Sequence, residues 1–337
     1  MGTIEQGVKQ AVENCLRVKA GEKAVVITDQ ETFEIGSALK AAIEKITGEV
    51  QFFVMEDFGK RPIDYPPAID EAIRAADVSV YAAQGAKGEG QTFRMHMLNA
   101  VEANSKLRHA HMTGITPQIM EQGMCSDYNE IQRISRLVYE KVKDAKEIRV
   151  VTGKGCDFTA EFSPKLKWNI SDGDIKPGHW KNLPDGEVST CPLSVNGTVV
   201  FDGCLGDSFA ERYGPLENTP VIVEIADGRA IKESIRCDNE ELLKEYIEYL
   251  FEIDQNSNRV GEFAIGTNTG LTELICNMLQ DEKHPSVHIA FGSPRPARTR
   301  ATWDSKSHID GLIKNPTIYV DGEIIMENCQ FLLEGIV

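Results

Sequence analysis

The stretch GEKAVVITDQETFEIGSALKAAIEKITGEVQFFVMED, residues 21–57, sets the fold class. Gly21 precedes KAVVITD, a short apolar run that reads as a buried strand; the helix-like IGSALKAAIEKI follows, and EVQFFVMED is a second strand-like run. Strands that are apolar nearly throughout and alternate with helices are what a parallel sheet covered on both faces requires. The alternation extends outward in both directions. Upstream, Ile4, Val8, Val12 and Leu16 recur at helical spacing; downstream, PPAIDEAIRAA leads to DVSVYAAQG and FRMHMLNAVEAN to LRHAHMTGI. The expectation is an open three-layer, Rossmann-like α/β domain with a parallel sheet over residues 1–147.

From EIRVVTGKGCDFTAEFS onward the pattern changes to shorter strands separated by Gly, Asn and Asp turns, as in CPLSVNGTVVFDGCLGD and PTIYVDGEIIMEN. Residues 148–337 therefore read as an α+β domain built on antiparallel hairpins. A chain of 337 residues suits two domains of roughly 150 residues each. The net charge of -16 argues against nucleic acid and against an anionic membrane surface, because either needs an extended basic face. MGTIEQGVKQAVENCLRVKAGE lacks the apolar core of a signal peptide, so a soluble, cytoplasmic protein is expected. The eight cysteines include no Cys-x-x-Cys pair and read as reduced packing residues. GAKGEG, Gly85 to Gly90, completes neither phosphate-binding glycine motif and reads as a surface turn.

Acidic and imidazole groups gather in the second half. NLPDGEVST sets Glu187 just after a Pro-Asp-Gly turn, and VGEFAIGTN sets Glu262 in a strand ending at Gly266. LTELICNMLQDEK carries Leu271, Leu274, Ile275, Met278 and Leu279 at helical spacing, which predicts an amphipathic helix. In SVHIAFG, Val287, Ile289 and Phe291 alternate with His288, Ala290 and Gly292, so His288 lies opposite the apolar face. His308 and Asp310 in SHIDG are two apart, which on a strand points both to one side. Two imidazoles and a carboxylate make a face suited to zinc, manganese, cobalt or ferrous iron, and adding Glu187 and Glu262 gives enough donors for two ions. Arg295, Arg298 and Arg300, between the two histidines, suit a substrate carboxylate or simply solvate the loop. His96, His109 and His111 read as edge or surface histidines, and His179 with Trp180 as a packed pair or a pocket wall.

In order along the chain, NLPDGEV, GEFAIGTN, LQDEKHPSVHIAFG and SHIDG with IYVDGEII resemble the successive blocks of the aminopeptidase T family, the M29 metallopeptidases. The resemblance covers the second half, including VVTGKGCDFTAEF; the first half is similar in pattern alone. It implies two divalent ions, zinc, cobalt or manganese, held by Glu187, Glu262, His288, His308 and Asp310. It also implies release of N-terminal residues from small peptides or amino-acid amides, with the ions activating a water and Glu262 as ligand or proton shuttle. The family's peptidases carry a tyrosine in the loop after the first histidine block, whereas SPRPARTRATWDSKS has none; Arg298 is then the catalytic group that steadies the oxyanion. The same resemblance extends to 2,5-dihydroxypyridine 5,6-dioxygenases, which use one ferrous ion on two histidines and an aspartate. A mononuclear ring-cleaving dioxygenase, and a non-catalytic metal-binding module, therefore stay open beside the peptidase. A symmetric homodimer is expected for an acidic α/β enzyme.

Overall fold

The computed structural model describes residues 2–335 and divides into two compact units, one running up to Gln132 and including Asp172–Asp185, the other comprising Arg133–Ser171 and the chain from Gly186 on. It is a mixed α/β structure with one parallel and two antiparallel sheets. No helix among the described residues is long and apolar enough to cross a membrane.

The first unit is organised by a parallel sheet in the spatial order Val50–Val54, Ala24–Thr28, Val78–Ala83, Arg108–Thr113, His179–Asn182. Ala24–Thr28 and Val78–Ala83 are buried at every position, as their continuous apolar runs require. The helix Phe33–Thr47 buries Ile35, Leu39 and Ile43 along one stripe and ends at Gly48, whose φ of 78° suits a residue without a Cβ. Segment 172–185 belongs to this unit because it supplies the fifth strand. The Gly85–Gly90 turn helps to hold this unit together, since Glu89 is fully buried and holds the guanidinium of Arg61, which also reaches Asp29 at the end of the first strand.

His109 and His111 are not edge or surface residues. They are buried, His109 Nδ1 sharing a hydrogen bond of 2.7 Å with Ser79 Oγ, and His111 Nε2 lying 2.8 Å from Thr113 Oγ1 with its ring stacked on Tyr81. Burial holds both imidazoles below their usual range, His109 at about 3, so they pack as neutral rings. The sequence pattern was misleading because Arg108–Thr113 is an interior strand, flanked on one side by Val78–Ala83 and on the other by His179–Asn182.

The second unit pairs an eight-stranded antiparallel sheet with a five-stranded one in the order His308–Ile313, Val287–Gly292, Val260–Gly266, Glu187–Thr190, Asn169–Ser171. Their shared core is aromatic: Phe158 meets Phe263, and Phe201 meets Phe291, edge to face with centroids 6.4 Å apart. The helix Glu240–Glu252, capped by Asn239, adds Leu242, Tyr246 and Leu250 to the same core. All eight cysteines are free thiols.

The helix expected over LTELICNMLQDEK is absent: residues 271–277 run as a loop, and one turn, Met278–Asp281, is helical. The Asp281 carboxylate accepts from the backbone N–H groups of Ile275 and Cys276, at 3.0 and 2.7 Å, and Cys276 is left-handed with φ 58°. A side chain has taken donors that a helix would have used, and the apolar spacing serves a small cluster around Cys204, Met278 and Leu312 instead.

Candidate metal centre

The five-stranded sheet of the second unit has one face committed to the core, bearing Val188, Phe263, Ile265, Val287, Ile289, Phe291, Ile309 and Ile313. Strand alternation then forces the intervening residues onto the other face. Glu262, Ala290 and Asp310 stand opposite one another across three strands; His308 is opposite Gly292, His288 opposite Ala264, and Glu187 opposite Gly266. The five residues singled out in the sequence therefore share one face, above a floor of alanine and glycine.

Two backbone details make this possible. Val260 and Glu262 are two apart, yet Val260 joins the core and Glu262 does not, because a register irregularity at Gly261 inserts an extra residue between them. Gly266 lies so close to the His284 carbonyl that an added Cβ would sit 1.8 Å from its oxygen.

The candidate side chains fall into two groups, Glu262 with His308 and Asp310, and Glu187 with Glu282 and His288, the possible ligand atoms of each lying within 4.8 Å of one another. In the first, His308 Nε2 is 3.3 Å from Glu262 Oε2 and 3.6 Å from Asp310 Oδ1. Its Nδ1 donates to the Ser293 carbonyl at 2.9 Å, which fixes the ring and aims Nε2 at the carboxylates. The Tyr249 hydroxyl bonds the backbone of His308 from behind, donating to its carbonyl at 3.2 Å. Burial disfavours a charge on His308, but the attraction and hydrogen bonds of Asp310, with a hydrogen bond to Glu262, outweigh it and push the imidazole up to about 10. Burial likewise opposes ionisation of Glu262 and Asp310, and His308 overrides it, holding both carboxyls below their usual range.

The second group contains a cation of its own. Lys283 is 2% exposed, and its ammonium lies 2.7 Å from Glu187 Oε2 and 2.5 Å from Glu282 Oε1. His288 Nε2 is 3.9 Å from Glu187. Burial pushes the Glu282 carboxyl above the usual range against the pull of Lys283, and the charges of Glu187 and Asp310 add to the rise.

Glu282 and Lys283 were missed because they occupy the short link before a strand, where no periodicity assigns a face. The adjacent acid and lysine in QDEKH were the available signal. All three loop arginines are exposed, and Arg295 reaches this face, its Nε 3.9 Å from Glu262 Oε2. His96 is exposed on the helix Met95–Ala103, and Trp180 donates to Glu102 at 3.1 Å, both within the first unit.

Oxygen and imidazole donors suit divalent ions of intermediate hardness. The Glu262–His308–Asp310 group fits such an ion directly. The Glu187–Glu282–His288 group offers the same donor types, with a lysine already bridging its two carboxylates.

Comparison with individually curated proteins gives no match. Among solved structures, the chain is similar to the 2,5-dihydroxypyridine dioxygenase of Pseudomonas putida KT2440, with TM-score 0.69, 17% identity, and 98% of this chain and 96% of that one covered. It is similar also to wild-type AmpT from Thermus thermophilus, with TM-score 0.67, 17% identity, and 98% and 99% covered. Both likenesses establish a shared fold over essentially the whole chain. The family pattern of thermophilic metalloproteases (M29) matches residues 125–325, which include every residue of the two groups, and the chain belongs to that family.

Proposed function

We propose that this protein is a metal-dependent aminopeptidase that removes N-terminal residues from short peptides or amino-acid amides at a centre for two divalent ions, zinc, cobalt or manganese. The observation that carries this reading is the gathering of the ligand atoms into two groups of three, five of the residues on one sheet face and Glu282 on the link that precedes a strand of it. A single-iron dioxygenase needs His288, His308 and Asp310 around one ion. Here His288 groups with Glu187 and Glu282, whereas His308 and Asp310 group with Glu262.

Glu262, His308 and Asp310 would hold one ion, and Glu187, Glu282 and His288 the other. When bound, such ions lower the pKa of a water and polarise the carbonyl to be attacked. The remaining work falls to the chain itself. Glu262, beside His308, is placed to take a proton at Oε2 and pass it to the departing amine. Ser293 fixes the His308 tautomer, and Lys283 holds Glu187 and Glu282 in place.

The experiment compares wild type and Glu187→Gln in two assays: hydrolysis of amino-acid amides with added cobalt, zinc or manganese, and oxygen uptake with ferrous iron and dihydroxypyridine. The expected result is amide hydrolysis that falls by orders of magnitude in the variant, because removing one charged ligand weakens one of two ions. Oxygen uptake indifferent to the substitution, with about one iron per chain, would replace the peptidase with the dioxygenase.

A further inference from the structure

A guanidinium beside a centre built for cations needs an explanation. Arg295 sits in SPRPARTR between two prolines, with left-handed backbone, φ 51°, a conformation costly for a residue with a side chain. The loop around it is fastened at several points. Thr299 Oγ1 donates to the Pro294 carbonyl at 2.7 Å, Lys167 N donates to the Thr299 carbonyl at 2.8 Å, and Lys306 N donates to Asp254 at 2.6 Å. Trp303 lies against the Arg259 guanidinium at 4.2 Å. The backbone that carries Arg295 is thus held by its own loop, and the side chain reaches to 3.9 Å from Glu262.

The carboxylates of Glu262, Asp310, Glu282 and Glu187 all attract this guanidinium. Ions at the centre would neutralise that attraction and leave one cation facing others, an arrangement that is stable only with an anion between them. Lys283 differs in access: it is 2% exposed and already bonded to Glu187 and Glu282, so it is closed to an incoming group. Arg295 has half its side chain, 52%, open to solvent and retains donors for an incoming group.

We propose that Arg295 is the specificity residue of this centre and receives a carboxylate carried by the substrate one residue beyond the cleaved bond. Its planar fork matches a carboxylate bidentately. The preferred substrates are then dipeptides, through their free C-terminus, or peptides with an acidic residue at that position. This rests on the hydrolase reading above and goes beyond it by naming the substrate class.

The test measures kcat/KM of cobalt-loaded wild type, Arg295→Ala and Arg295→Lys on Leu-Ala against Leu-Ala amide, and on Leu-Glu amide against Leu-Gln amide. Calorimetry follows binding of the reduced-bond analogues of Leu-Ala and its amide to the same proteins. Wild type should favour the carboxylate in at least one pair by about tenfold or more, the ratio should collapse toward one in Arg295→Ala, and Arg295→Lys should fall between. The first pair reports a terminal carboxylate, the second a side-chain one. Equal turnover within both pairs in wild type would overturn the inference while leaving the hydrolase intact. Losses in Arg295→Ala that keep the ratios unchanged would overturn it too, in favour of an oxyanion contact. If no substrate is cleaved, the hydrolase reading fails and calorimetry decides. Tighter binding of the acid analogue that is lost in Arg295→Ala then supports the role of Arg295, and equal binding refutes it.

Discussion

His308 carries the clearest consequence at the scale of single residues. Without an ion its imidazole stays protonated to about 10, because Asp310 and Glu262 overcome its burial, so an ion must displace that proton to bind. Metal affinity should therefore rise with pH, by up to about tenfold per unit between pH 6 and 9. The stability of metal-free protein should move the opposite way. A raised value means that the contribution of His308 is complete below its ordinary value near 6.5, and is lost as pH rises through about 10. Apparent dissociation constants across that range, with melting curves of metal-free wild type and His308→Gln, check both signs; flat profiles in wild type would remove this account of His308. The positions of His288, His308 and Asp310 were legible because strand alternation fixes a face, whereas the face of Glu262 depends on the irregularity at Gly261, which breaks the alternation. Glu282 and Lys283 were not, since their meeting with Glu187 is made between residues nearly a hundred positions apart, at a sequence separation of 96 for the lysine.

At the scale of elements, the sheet face depends on what lies beneath its candidate ligand side chains. The glycine and alanine floor was visible in sequence as AIG and IAFG, but its purpose was not, because the close approach of the His284 carbonyl to Gly266 is a tertiary event. Gly266→Ala places a Cβ 1.8 Å from that oxygen, so the strand or the 283–284 link must shift. Overpacking of this kind costs about 1–3 kcal/mol or more. The link also carries Glu282 and Lys283, so the variant should lose stability in urea and weaken one of two metal-binding events. Urea melts and cobalt titration check this; unchanged values in both would mean that the link yields freely. The failed helix at 271–277 belongs to this scale too. Its apolar spacing was real, but Asp281, a residue local propensity cannot weigh against packing, captured the backbone donors.

At the scale of the whole molecule, the alternation of strands and helices in the first half and the hairpins of the second were legible, because burial on one face or two leaves different hydrophobic patterns. The return of segment 172–185 to the first unit was not, since a strand of four residues carries too little pattern to announce a partner. All residues of both candidate groups lie in the second unit. Ions bound there should stabilise the folded state, by about 2.7 kcal/mol at a hundredfold excess over the dissociation constant. Stripping metal with a chelator should lower the melting temperature, and adding back cobalt or zinc should restore it. A melting temperature indifferent to both treatments would argue that the two groups bind no ion tightly.

The interrupted path of the first unit also bears on how the chain is made. A ribosome delivers residues in order, and the four strands present by Thr113 must wait while Arg133–Ser171, which belong elsewhere, are synthesised before His179–Asn182 arrive. During that interval, a few seconds at roughly 5–20 residues per second, Arg108–Thr113 is an open edge on the nascent chain. The sheet thus cannot be completed by its own leading segment, and its closure is timed by translation of part of the neighbouring unit.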